Sequence, residues 1–75
     1  MKKVNQLDKL ISDNLITIRK KCKKSLQEVG EACGVSKVMM FKYEKGNSKI
    51  SAARLFLLSG YFNVPMVNFI MEIEK

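Results

Sequence analysis

The chain has 75 residues, 47% of them hydrophobic and 28% charged, and its 14 Lys+Arg against 7 Asp+Glu leave a net charge of +7. This is the composition of one small globular domain rather than a disordered tail, with no run near the roughly 18 apolar residues of a membrane span. Histidine is absent, the four glycines stand singly, and the two cysteines, Cys22 and Cys33, supply neither a disulfide scaffold nor a four-ligand zinc site, which argues against an enzyme, a metal or a cofactor. The polar start, with Asn5, Gln6 and Asp8 after Lys2-Lys3, lacks the apolar core of an export signal, so the expected location is the cytoplasm.

Leu7, Leu10, Ile11, Leu15 and Ile18 recur at helical spacing and predict a first helix over about residues 6–22. Ser25 with Glu28 three residues on is a capping box that starts a second helix of two turns, which Gly34 ends by taking positive φ. Ser36 caps a third helix that Gly46 terminates. Ser51 caps a fourth that runs to about Phe62, where Asn63 takes the left-handed stop. Pro65, the one proline, opens a fifth over about residues 65–74, apolar through Ile73. The predicted architecture is all-α, a compact five-helix bundle forming a single domain over residues 1–75.

The second and third helices are separated only by Gly34-Val35-Ser36, so they cross steeply at a short turn, as in a helix-turn-helix. A glycine inside a helix costs about 1 kcal/mol relative to alanine; Gly30, one turn before Gly34, is expected to provide packing clearance there. On the third helix, Met40 and Tyr43 face inward with Val35, and the opposite face collects Lys37, Val38, Phe41, Lys42 and Lys45. The charge follows the same division. Residues 19–24 carry +5 and residues 37–49 carry +3, whereas residues 50–75 are neutral, a distribution suited to a polyanionic partner.

Residues 11–70 resemble the phage-repressor (XRE-type, lambda-repressor-like) helix-turn-helix domains. The resemblance rests on Ile11, Leu15, Ile18-Arg19, Ser25, Val29, Gly34-Val35-Ser36, Met40, Lys42-Tyr43-Glu44-Lys45-Gly46, Ser51, Leu55, Leu58, Phe62 and Val64. It implies a transcriptional regulator of double-stranded DNA whose third helix enters the major groove. The base-reading positions then fall on Lys37, Val38 and Lys42, with Phe41 adjacent, and the phosphate positions on Ser25, Leu26, Ser36, Lys45, Asn47 and Lys49. Arg19 and Glu44 match the pair that bridges the first and third helices in the family.

Three departures from the family pattern bear on function. Leu26 replaces a glutamine that touches phosphate, so that contact is expected to be lost, and Lys23 replaces a glycine that ends the first helix. The reading face carries Val38, Met39 and Phe41 where polar residues are common; such side chains pack on thymine methyl groups rather than hydrogen-bond to bases. Sequence discrimination is therefore expected to be modest, with phosphate contacts and DNA shape carrying much of the affinity. The rival reading is a protein-docking adaptor or antitoxin-type module that uses the same apolar outer face. A membrane-surface role fits poorly, because the longest basic run lies at a helix end. The apolar C-terminal third, with Leu57, Tyr61, Val67, Ile70 and Met71, predicts an isologous homodimer on a pseudo-palindromic operator. Cys33 reads as a core filler and Cys22, among lysines, as the more reactive thiol.

Overall fold

The computed structural model describes residues 6–71. Five helices follow one another: α1 (Gln6–Lys21), α2 (Leu26–Ala32), α3 (Lys37–Lys45), α4 (Ala52–Phe62) and α5 (Val67–Ile70), with no strand among the described residues. The starts of α2, α3 and α4 share one local chemistry, and the ends of α1 to α4 another. Ser25, Ser36 and Ser51 take extended backbone at the N-caps of α2, α3 and α4, and each hydroxyl accepts the amide hydrogen three residues on. At the other ends, Lys23, Gly34, Gly46 and Asn63 all have positive φ. Each of these left-handed residues is followed by an amide that donates back into the finished helix: Lys24 to Arg19 O, Val35 to Gly30 O, Asn47 to Lys42 O and Val64 to Ser59 O.

The core is built from Ile11, Leu15 and Ile18 of α1, Val29 and Cys33, Met40 and Tyr43 of α3, Leu55, Leu58 and Phe62 of α4, and Phe69 of α5. Leu26, Val35, Met39, Ile50 and Val64 pack against it from the side. Burial pushes the Cys33 thiol up, keeping it protonated beside the Met40 sulfur at 3.8 Å, while Cys22 is exposed. Two buried polar side chains of α1 tie the bundle together. Ser12 Oγ donates to Tyr43 O at 2.8 Å, and Asn14 Nδ2 donates to Phe69 O at 2.8 Å and to Met71 O at 2.7 Å.

Three sequence expectations change here. Among the described residues the fifth helix is a single turn, Val67–Ile70, where the sequence predicts helix from Pro65 through Met71, because Asn14 captures the carbonyls of Phe69 and Met71 and Met71 turns extended at φ −110°, ψ 151°. Ile73 and residues 72–74 of that expected helix lie outside the described residues. Leu7, counted in the apolar stripe of the first helix, is 51% exposed, since the core begins at Ile11. Met39, assigned to the outer face of the third helix, is partly buried against the core.

Candidate nucleic-acid interface

The turn between α2 and α3 depends on Gly30. A Cβ at that position would lie 2.7 Å from Val35 O, 3.1 Å from Met40 Cγ and 3.2 Å from Ser36 O, so only glycine lets α2 and the start of α3 approach this closely. Val35 N–H donates to Gly30 O at 2.8 Å, which closes the turn on the same spot. Met40 and Tyr43 then anchor the inner side of α3 in the core.

Arg19 fixes α3 from the opposite end. Its Nε donates to Glu44 Oε2 at 2.6 Å and its Nη2 to Glu44 Oε1 at 3.0 Å, the fork-to-fork geometry of a strong arginine–carboxylate pair. The third nitrogen, Nη1, donates to Lys24 O at 3.0 Å, so the guanidinium also holds the turn after α1. The two side chains are 15% and 8% exposed, which shields the pair from salt. Through Arg19–Glu44 and Ser12–Tyr43, α1 holds α3 at two points one residue apart in sequence.

The outer face of α3 presents Lys37, Val38, Phe41, Lys42 and Lys45 together, all exposed. Val38 is 63% and Phe41 48% exposed, and Lys45 Nζ sits 5.4 Å from the centroid of the Phe41 ring. Ser36 begins this helix with its Oγ accepting from Met39 N–H. Asn47 and Lys49 follow its end, both exposed; the Asn47 amide is used in closing α3, and Lys49 Nζ lies 3.8 Å from Asp8 Oδ2. At the start of α2, Ser25 is exposed, but its backbone N–H donates to Glu28 Oε1 at 2.8 Å and its Oγ accepts from Glu28 N–H at 3.0 Å. The Ser25 amide bond holds the Glu28 carboxyl below its ordinary value despite slight desolvation, so an anion already occupies this helix start. Leu26 turns toward the core, where a phosphate-binding glutamine would face outward.

The apolar side chains expected to pair two copies fall on α4, on α5 and on Met71 just after it. Leu57, Tyr61, Val67, Ile70 and Met71 are exposed, and Phe56 joins them. Tyr61 is partly engaged within the chain, edge-on to Phe62 at 5.0 Å and under Lys24 Nζ at 5.8 Å. Phe69, in the same apolar run, belongs to the core. The buried polar pair Ser12 and Asn14 escaped sequence reasoning, although Asn14 stands in the Ile11–Leu15–Ile18 stripe, where a polar residue requires a buried partner. No helix among the described residues is long and apolar enough to cross a membrane, and no group of His, Cys, Asp and Glu among them is suited to a metal ion.

A glycine-cleared turn between two short helices, the second pinned from behind and basic in front, defines a helix-turn-helix domain. Residues 15–69 match the helix-turn-helix family, and the chain belongs to it, a family of DNA-binding transcriptional regulators. The chain is similar to uncharacterized HTH-type transcriptional regulators of Sinorhizobium medicae and Rhizobium meliloti, in each case 34% identical over 71 residues, covering 95% of this chain and 50% of the relative. It thus spans about half the length of the curated relatives it matches. Its fold is similar to the solution structure of the SOS-response transcriptional repressor LexA from Eubacterium rectale, with a TM-score of 0.81 at 23% identity, covering 95% of this chain and 80% of that one.

Proposed function

We propose that this chain binds double-stranded DNA as a homodimeric transcriptional regulator and reads its operator with α3 in the major groove. The observation that carries this reading is the outer face of α3, where three lysines and two apolar side chains stand exposed on a helix fastened to α1 from behind. In this reading Lys37, Val38, Phe41 and Lys42 face base edges. Lys45, Asn47 and Lys49 grip phosphates through their side chains, as does Ser36 through its exposed hydroxyl, while Ser25 contributes to that rim from the start of α2, where it is already engaged by Glu28. Arg19 and Glu44 touch no DNA and set the angle of the reading helix. The place of work is the cytoplasm, with the DNA, and the chain acts by binding rather than by catalysis.

The homodimer rests on the exposed Leu57, Tyr61, Val67, Ile70 and Met71. A two-fold arrangement sets two reading helices about 34 Å apart and makes the operator a pseudo-palindrome.

The test is binding to random-sequence duplex DNA as a function of salt, with the Lys42→Ala and Lys45→Ala variants alongside. A protein neutralising Z phosphates shows a slope of about −0.9Z in log K against log salt. The expected result is a steep slope, reduced by about one in Lys45→Ala, with weaker binding in both variants. A flat response at low salt refutes the reading and turns the outer face of α3 into a protein-docking surface.

A further inference from the structure

The exposed side chains of α3 are chemically one-sided. Lys37, Lys42 and Lys45 only donate hydrogen bonds, and Val38 and Phe41 neither donate nor accept. The single carboxylate of the helix, Glu44, is turned inward and engaged by Arg19, and Tyr43 is buried. This face therefore offers no side-chain acceptor for the exocyclic amines of adenine N6 or cytosine N4. The major-groove edge of thymine carries the O4 acceptor and the C5 methyl group and no donor, while that of guanine carries two acceptors. Lysine donors beside an apolar pair match thymine on both counts.

Val38 and Phe41 are three residues apart, so their side chains are neighbours on the helix surface. Lys45 lies over the Phe41 ring and brings its charge beside the apolar pair. The result is an exposed apolar pair with a cation against it.

We infer that this face selects DNA by its C5-methyl groups, with thymine methyls packed beneath Val38 and Phe41 and O4 or guanine acceptors beneath Lys37 and Lys42. The inference deepens the DNA-reading function proposed above and rests on it.

The experiment starts from a random duplex library selected with the full chain. The best-bound duplex is then rebuilt with deoxyuridine at each thymine in turn, which removes a methyl and leaves every hydrogen-bonding group in place. Burying one methyl corresponds to about a fourfold change in affinity, so uracil at the methyls under the apolar pair weakens binding about fourfold each. Phe41→Ala loses this sensitivity at one position and keeps it at the position read by Val38; Val38→Ala does the converse. Equal binding of thymine and uracil duplexes, or selected sites without thymine, overturns the inference and leaves DNA reading intact. Failure to enrich or bind any duplex overturns both.

Discussion

Replacing Glu44 by alanine removes one half of the ion pair between α1 and α3 and leaves behind an Arg19 side chain that is only 15% exposed in the intact domain. Deleting one partner of a buried pair costs about 3–5 kcal/mol, chiefly because the other charge stays behind without its counterion. Arg19 keeps its bond to Lys24 O at 3.0 Å, which places Glu44→Ala near the lower limit, at about 3 kcal/mol. A domain of this size has only about 4–11 kcal/mol of stability in total. A thermal melt followed by circular dichroism should therefore drop by about 12–24 °C. The DNA affinity per folded molecule, measured well below the midpoint, should change by no more than about threefold, because the pair touches no DNA and the Ser12–Tyr43 bond with buried Met40 and Tyr43 still holds α3 in place. Changing both residues to methionine should leave the protein more stable than Glu44→Ala alone, since no orphaned charge remains. A Glu44→Ala midpoint within about 2 °C of the parent refutes the argument.

Four further variants have outcomes set by the same geometry. Gly30→Ala should lower the melting midpoint by several degrees, because its Cβ meets Val35 O at 2.7 Å and overpacking of about 1–3 kcal/mol outweighs the gain in helix propensity; Gly60→Ala, with nothing within 4 Å, should raise it by about 4–8 °C. Lys23→Gly should also raise the midpoint by a few degrees, since Lys23 holds φ +58°, where a side chain costs about 1 kcal/mol, and thermal melts will show it. The Ser25 amide bond depresses the Glu28 carboxyl, so the stability Glu28 supplies is complete above the ordinary glutamate value and is lost as pH falls through its own lower value. Between about pH 5 and pH 3 the midpoint of Glu28→Gln should decline less steeply than that of the parent; parallel declines count against the capping box as the cause.

The ends of α2, α3 and α4 are legible in the sequence because their causes lie within a few residues. A serine accepts an amide three positions on, and a glycine or asparagine takes the left-handed turn. Lys23 shows the limit of that logic. The turn after α1 is the same as the others, yet its residue type does not announce it, and the bond from Arg19 to Lys24 O helps to hold it. The inner and outer faces of α3 follow from its 100° periodicity, except at Met39, which sits at the boundary and is drawn toward the core. The pairing of Arg19 with Glu44 joins residues 25 positions apart and came from family resemblance, not from spacing. Ser12 and Asn14 were illegible for a similar reason, since each acts on a backbone carbonyl more than 30 positions away and one of the two sets where α5 stops.

That stop bears on how the domain would work as a pair. Apolar periodicity cannot give the length of α5, because most of its apolar residues do not enter the core of their own chain. Phe69 is fully buried and Val64 partly so, while Val67, Ile70 and Met71 remain exposed, as do Leu57 and Phe56 of α4. A helix of one turn has no stability of its own, so in one copy α5 depends on a single aromatic side chain and the two bonds from Asn14. In the homodimer proposed above, a second copy would cover the exposed side chains and add the packing that α5 lacks. Whatever free energy dimerisation supplies there would also stabilise α5 against local opening. The bonds that fasten α3 to α1, from Arg19 to Glu44 and from Ser12 to Tyr43 O, involve no residue of α5. The reading helix would then be rigid in each copy, and the interface that sets the spacing between the two copies would be the part of the molecule completed by assembly.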